Sequence, residues 1–317
     1  MIITALAPTR VSCFGGSTDV APYCDLYGGI TLSFTINLWE KVTLYTDKDL
    51  WTISDHQFPQ GADPQLVYEI LKTFGVNGTK HCRVKTEFDG VIGAGLGSSA
   101  AMSVALIAAL SLWKKKQMTV EDIAEMAWDI EVNRLGWYGG KQDQYASAFG
   151  GGNILRFKNR KVEREKMPIP WIESIFPYLL LFYLGGQRKS HEIQKQFGIL
   201  TQEKKEALDG IKKIVIEALE DLTMNQLFSF FDRLDKAWEL KKKSNVLVTS
   251  PEIDSVYTLM KENGAYGGKI LGAGGCGYMV VAAPIDTQHR IIEAMEQRGY
   301  EHILFYPVDE GVIVREE

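Results

Sequence analysis

Gly95, Leu96, Gly97, Ser98, Ser99, Ala100 and Ala101 stand directly before a run, Met102 to Leu110, that is apolar apart from Ser103. Residues of these types, in this order, predict a glycine-rich turn that feeds a helix. Glycine lets backbone come close to a ligand, and the unpaired N–H groups of a helix start carry a partial positive charge. That combination binds phosphate. The hydroxyls of Ser98 and Ser99 add donors, and an oxygen that Mg²⁺ could take. A loop that merely caps a buried, alanine-rich helix would look the same, and this segment alone leaves both readings open. No Lys follows the second glycine, which excludes a Walker A loop, and the spacing is not that of a dinucleotide fingerprint.

Three further segments join glycine to polar residues: residues 7–19, 139–145 and 272–277. The first holds Arg10 and Asp19. An arginine is always charged and suits a phosphoryl group in transfer. An aspartate in a glycine turn can accept sugar hydroxyl protons. A surface salt bridge and a turn cap are the alternatives. The second segment sets Asp143 between two glutamines after Gly139 and Gly140, where a carboxylate could orient or deprotonate a hydroxyl. Glu131 lies upstream on a predicted helix. It is either an exposed helix acid or a ligand for a metal held mainly by nucleotide phosphates. The last segment, with Gly274 and Gly275, lets backbone approach backbone or substrate, and Cys276 within it reads as packed and inert.

The elements that must position these residues follow from pattern. Residues 11–14, 30–37, 42–46 and 82–88 have strand character. Residues 64–74 read as a helix, and Thr119 opens another, ending near Arg134, through a capping-box-like start. After a strand at 154–157, the polar stretch 158–170, with two prolines, is the expected crossing between domains. A strand at 178–183, helices at 203–222, 225–242 and 252–263, a strand at 278–283, a helix near 286–298 and two final strands complete an α+β chain. The lysine run at 241–243 reads as a solvated helix end.

Bulk properties narrow the function. The 317 residues allow one large or two ordinary domains, here 1–165 and 166–317. A net charge of −5 gives no general attraction for nucleic acid or an anionic membrane, so an anionic substrate needs a local cluster of cations. The apolar run at 100–113 is too short to span a membrane and ends in three lysines. The start lacks signal-peptide character, and four scattered cysteines without a CxxC read as reduced thiols, together predicting a cytoplasmic protein. The histidines show no metal-ligand spacing.

In their order along the chain these segments resemble the GHMP kinase superfamily: Ala7-Pro8-Thr9-Arg10 with Gly15-Gly16-Ser17-Thr18-Asp19, then residues 95–101, then residues 272–277. The likeness covers essentially the whole chain. Residues 139–146, with Tyr27-Gly28-Gly29, Phe149-Gly150-Gly151 and Gly267-Gly268-Lys269-Ile270, are most similar to the group that phosphorylates D-glycero-D-manno-heptose 7-phosphate. Ser17 stands where that group has a third glycine, Ile92 where it has a proline, and Cys276 where it has a glycine. The resemblance implies a two-domain fold, with an N-terminal half like ribosomal protein S5 domain 2 and a C-terminal α+β sandwich.

It also implies roles. Gly95, Gly97, Ser98, Ser99 and Ala100 would bind ATP phosphates, with Ser99 and Glu131 holding Mg²⁺. Asp143 would be the base or orienting carboxylate, and Arg10 would lower the acceptor hydroxyl's pKa and stabilise transferring charge. Asp19, Gly15, Gly16, Ser17, Thr18, Gly274 and Gly275 would bind the sugar. Lys141, Arg188 and Lys189, close to glycine turns, are candidates for a sugar phosphate; solvated surface cations are the alternative. The expected partners are ATP and a small sugar or sugar phosphate, the expected assembly a monomer or homodimer. The expected reaction is transfer to the anomeric hydroxyl of a heptose 7-phosphate. A 1-kinase for an unphosphorylated sugar such as fucose or galactose is the runner-up. A silent sugar and ATP sensor would not need Arg10, Asp19, Ser99, Glu131 and Asp143 together, and a mevalonate-type acceptor fits the Asp19 motif poorly.

Overall fold

The computed structural model describes residues 1–46, 63–76, 82–186 and 200–317. Within them two antiparallel sheets carry the molecule. In the first, β1 (Ile2–Phe14) pairs along its length with β2 (Gly29–Tyr45). On its other edge β2 holds two partners end to end: β4 (Gly152–Lys158) against residues 29–34 and β3 (Arg83–Phe88) against residues 40–45. β5 (Lys161–Lys166) extends the sheet beyond β4, and β10 (Ile313–Glu316) extends it beyond β1.

Both long strands exceed the expected ones for the same reason. Pro8, which cannot donate to a ladder, sits opposite Trp39 at a register shift before Thr9. Thr9 then pairs with Ile36, so Asn37 and Leu38 bulge out, and Asn37 bonds instead to Tyr306. The turn-like composition marks bulges inside continuous strands.

α3 (Ser98–Trp113) lies against this sheet, walled in by α2 (Pro64–Thr73), α4 (Val120–Asp129) and α5 (Gln142–Phe149). Its residues from Ala100 to Leu110 are all buried, as its all-round apolar surface requires. Among the described residues no helix is long and apolar enough to cross a membrane. α4 starts on a complete capping box, Thr119 and Asp122 each accepting the other's backbone N–H. The turn after it, Ile130–Arg134, is π-helical rather than a plain continuation.

The expected domain crossing at 158–170 is a hairpin instead. Asn159 and Arg160 adopt left-handed backbone, φ 51° and 63°, and join β4 to β5 in a tight two-residue turn. β5 is polar because it is an edge strand. The expected boundary at residue 165 thus falls inside β5. The crossing follows through α6 (Ile169–Ile175) to β6 (Leu179–Tyr183).

The second sheet has the order β7 (Gly267–Ile270), β8 (Tyr278–Ala282), β6, β9 (Glu301–Ile303). The helices α7 (Gln202–Thr223) and α8 (Leu227–Ser244) pack between the sheets. α9 (Pro251–Glu262) and α10 (Gln288–Glu296) cover the far face. One core runs from Val11 and Phe34 through Phe230 and Phe231 to Leu181 and Val280. With β10 returning to β1, the two halves are interlocked.

Candidate active site

A cavity of about 380 Å³ opens between the halves. At its floor Arg10, on β1, is 2% exposed. Its Nε and Nη2 donate to the two oxygens of Asp143 at 2.8 and 2.7 Å, and Nη1 donates to the carbonyl of Gly95 at 2.7 Å. The Arg10 amide bonds to Leu96 as well, at 3.1 Å. One residue therefore ties the strand, the α5 carboxylate and the glycine loop together. Asp143 sits in the first turn of α5, where the helix field favours a negative charge. Its oxygens remain partly exposed to the cavity.

Asp19 lines the same cavity beside that pair and accepts the Gln142 amide at 3.2 Å. Burial raises its pKa to about 6, and the charge of Asp143 pushes the same way. Gly140 is required here: a Cβ on it would lie 1.8 Å from Asp19 Oδ2. Gly16 and Ser17 also line the cavity. Gly15 and Thr18 do not. Thr18 Oγ1 donates to the carbonyl of Gly15 and accepts the Ile30 amide, and a Cβ on Gly15 would strike Ile30, so these two close the turn onto β2.

The loop at 93–97 enters α3 through Gly97, in left-handed backbone at φ 77° and ψ 26°. Gly95, Gly97, Ser98, Ser99 and Ala100 all line the cavity. Ser98 turns its hydroxyl back to accept the Gly93 amide at 3.3 Å, while Ser99 is exposed. Across from them Glu131, on the π-helical turn, accepts from Ser103 at 3.2 Å and Gln144 at 3.0 Å. Burial raises its pKa to about 7, with Asp143 adding to the effect. A π turn inserted into an α-helix is common at functional sites. A carboxylate so poorly matched by cations, with the buried Gln144 Oε1 unpartnered beside it, suits a metal ion. Among the described residues no group of three or more His, Cys, Asp or Glu gathers as a metal cage. The donor set, a serine hydroxyl and one carboxylate, instead suits Mg²⁺ carried in with nucleotide phosphates.

The last glycine segment is displaced from expectation by one turn. Gly272 and Ala273 line the cavity, whereas Gly274 and Gly275 are buried against Val248. The segment brackets the phosphate loop. A Cβ on Gly272 would lie 2.7 Å from Gly95 Cα, and one on Gly277 would lie 2.1 Å from the Ala94 carbonyl.

Lys141 is not a cavity residue. Its ammonium donates to both Glu125 oxygens, at 2.6 and 2.7 Å, and to the Arg160 carbonyl at 2.9 Å, over the Trp128 ring. Those partners clamp α5 to α4. Arg188 and Lys189 lie outside the described residues. Two other lysines do line the cavity: Lys241 from α8 and Lys269 from β7. Lys241, expected at a solvated helix end, is 3% exposed, and Lys269 is 4% exposed. Position in a lysine run concealed the first. Lys269 stands next to the last glycine segment, which was the available signal.

Comparison with known proteins accords with this geometry. Residues 65–151 match the GHMP kinases N terminal domain and residues 215–301 the GHMP kinases C terminal domain. D-glycero-alpha-D-manno-heptose 7-phosphate kinase from Campylobacter jejuni is 31% identical, over 94% of each chain. A mevalonate kinase from Archaeoglobus fulgidus is 28% identical, over 86% of this chain and 89% of its own. The crystal structure of a D-glycero-D-manno-heptose 1-phosphate kinase from Bacteroides thetaiotaomicron superposes with a TM-score of 0.78 at 24% identity, covering 99% of both chains, which shows the shared fold. The chain belongs to the GHMP kinase family and is an ATP-dependent sugar kinase of that family.

Proposed function

We propose that the enzyme transfers the γ-phosphoryl group of ATP to the anomeric hydroxyl of a phosphorylated heptose, D-glycero-D-manno-heptose 7-phosphate. The observation that carries the chemistry is the Arg10–Asp143 pair bonded to the carbonyl of Gly95. It joins a phosphate-binding loop to a carboxylate that can meet a hydroxyl. The relative from Campylobacter jejuni, and the heptose-like signature at residues 139–146, support the substrate.

Phosphoryl transfer passes through a loose transition state that needs positioning and charge stabilisation more than covalent help. The amides at the start of α3, with Gly95 and Gly97 giving close approach, would cradle the ATP phosphates. Ser99 and Glu131 would hold Mg²⁺, which supplies charge neutralisation on those phosphates. Arg10 occupies one lone pair on each Asp143 oxygen, which leaves others to accept the acceptor hydroxyl and draw its proton. The same guanidinium faces the position where charge develops. Asp19 would take further sugar hydroxyls and fix which oxygen meets Asp143. In this reading the protein works as a small-molecule enzyme in the cytoplasm.

The test is ADP release from MgATP across the heptose 7-phosphate, the unphosphorylated heptose, fucose, galactose and mannose. Turnover largely confined to the heptose 7-phosphate is expected. Turnover on an unphosphorylated sugar alone would keep the kinase chemistry and overturn the substrate.

A further inference from the structure

Lys241 and Lys269 approach the acceptor end of the cavity from the second half of the chain, and no part of the transfer chemistry above uses them. Lys269 Nζ donates to the Ser12 carbonyl at 2.6 Å; Lys241 Nζ donates to the carbonyls of Gly272 at 2.7 Å and Ile270 at 3.3 Å. Neither forms an ion pair with a carboxylate among the described residues. Backbone carbonyls leave each ammonium at least one proton to donate, since an ammonium has three. Burial lowers the pKa of both, Lys269 to about 8; the charge of Arg10 pushes the same way, and those of Asp143 and Asp19 oppose it. Two desolvated ammoniums with no carboxylate in direct contact are costly to keep unless something anionic joins them.

The wall beside them is built for an anion too. Gly15 and Ser17 have left-handed φ, 84° and 79°, while Gly16 between them does not. Such alternation turns successive N–H groups toward one point, a nest that binds anions. The amides of Gly16 and Ser17 donate to no acceptor among the described residues. A Cβ placed on Gly16 would lie 4.0 Å from Lys269 Nζ, so the nest and the ammonium border one space. Ser17 holds its left-handed conformation without being glycine, and such strain is concentrated at ligand sites.

We propose that Lys241, Lys269 and the turn at Gly16 and Ser17 seat a phosphate that the sugar acceptor already carries. This rests on the phosphorylated-sugar reading above and gives it a place. Arg10 and Asp143 neutralise each other, so among the described residues Lys241 and Lys269 are the lining cations left to meet an anion; the lining also holds Asp19, Asp63 and Glu131. The spacing agrees. Ser12, to whose carbonyl Lys269 is tied, lies two residues beyond Arg10 on β1, about 7 Å along a strand. That is close to the reach of a sugar ring with a phosphate at its far end, when its anomeric hydroxyl meets Asp143.

The experiment measures kcat and KM with heptose 7-phosphate and with the unphosphorylated heptose, for the wild type, Lys241→Met, Lys269→Met and Lys269→Arg. In both methionine variants the preference in kcat/KM for the phosphorylated acceptor should fall roughly 10- to 100-fold, the worth of a charge-assisted hydrogen bond. The loss should lie in the KM of that acceptor. Lys269→Arg should keep much of the preference, and ATP affinity should confirm that each variant is folded. An equal fall in kcat on both acceptors with the preference intact would overturn the proposal and assign the lysines to the transferring phosphoryl group. If the wild type rejects the heptose 7-phosphate altogether, the substrate reading falls and this seat with it. If the wild type accepts it and the variants keep the preference, only the seat falls.

Discussion

Two sets of buried cations face one cavity, and they are treated differently. Arg10, from the first sheet, is held at all three nitrogens by protein groups: two carboxylate oxygens and a loop carbonyl. Lys241 and Lys269, from the second half, rest on carbonyls alone. A bidentate arginine pair keeps its shape without ligand, because each charge satisfies the other. Lysines held only by dipoles keep unspent attraction for something that arrives. On the proposed reading the first half carries a preformed reaction centre, while the second half offers charge to a substrate. The geometry of the transfer and the choice of its acceptor can then change independently.

The sharpest way to break that contrast is to remove the preformed pair. Asp143→Ala should lower kcat roughly 10²–10⁴-fold, the usual range for a positioned acid or base. It should do so on every accepted sugar, phosphorylated or not, because the pair acts on the hydroxyl and not on the acceptor's phosphate. Near-normal turnover in this variant would remove Asp143 from the reaction.

Gly140→Ala tests the acceptor side with a smaller effect. The added methyl must displace Asp19, whose oxygen lies 1.8 Å from the position it would take. The KM of the sugar should rise about 10-fold or more through loss of a charged hydrogen-bond acceptor, with the KM of ATP little changed. A parallel rise in both would show that the whole cavity had moved and that Asp19 has no separate part.

The same division governs what the sequence made legible. Arg10, Asp19, Ser99 and Asp143, which the structure gathers on one cavity, each sit in a short motif whose local conformation places them, whereas Glu131 lies on a predicted helix and only the family resemblance singled it out. Lys241 could not be read in advance, because its burial depends on how α8 lies against β7, and a lysine run looks alike on a solvated or a buried helix end. Lys141 misled for the complementary reason. Its neighbours Gly139 and Gly140 do border the site, but α5 rotates its side chain toward Glu125 on α4. Strand limits were blurred by Pro8 and by the bulge at Asn37, where composition signals a turn and tertiary pairing overrides it. The capping box at Thr119 involves contacts within four residues, and it was readable to the residue.

Titration separates the two regions by a few-fold change in rate. With the pKa of Asp19 raised to about 6, kcat/KM for the sugar should fall as pH drops through 6, on either acceptor. With that of Lys269 lowered to about 8, kcat/KM for the phosphorylated acceptor alone should fall as pH rises through 8. Stability carries the same signature. Because the folded Asp19 binds its proton more tightly than the unfolded one, the ligand-free protein should lose stability as pH climbs from about 4 to 6. Melting curves of Asp19→Asn should show a shallower decline over that interval; an identical slope would mean that Asp19 is not the group responsible.

The smallest expected effect concerns Ser17. A residue with a Cβ in left-handed backbone is disfavoured by about 1 kcal/mol or somewhat more, and glycine is not. Ser17→Gly should therefore stabilise the fold, offset in part by the greater freedom of glycine in the unfolded chain. The informative quantity is what happens to the acceptor at the same time. If Ser17 contributes only its backbone amide to the nest, the glycine variant keeps its preference for a phosphorylated sugar while melting higher. If the hydroxyl also donates to the acceptor phosphate, the preference falls several-fold although the protein is more stable. The second result would identify the strain at Ser17 as the cost of placing one more donor beside Lys269.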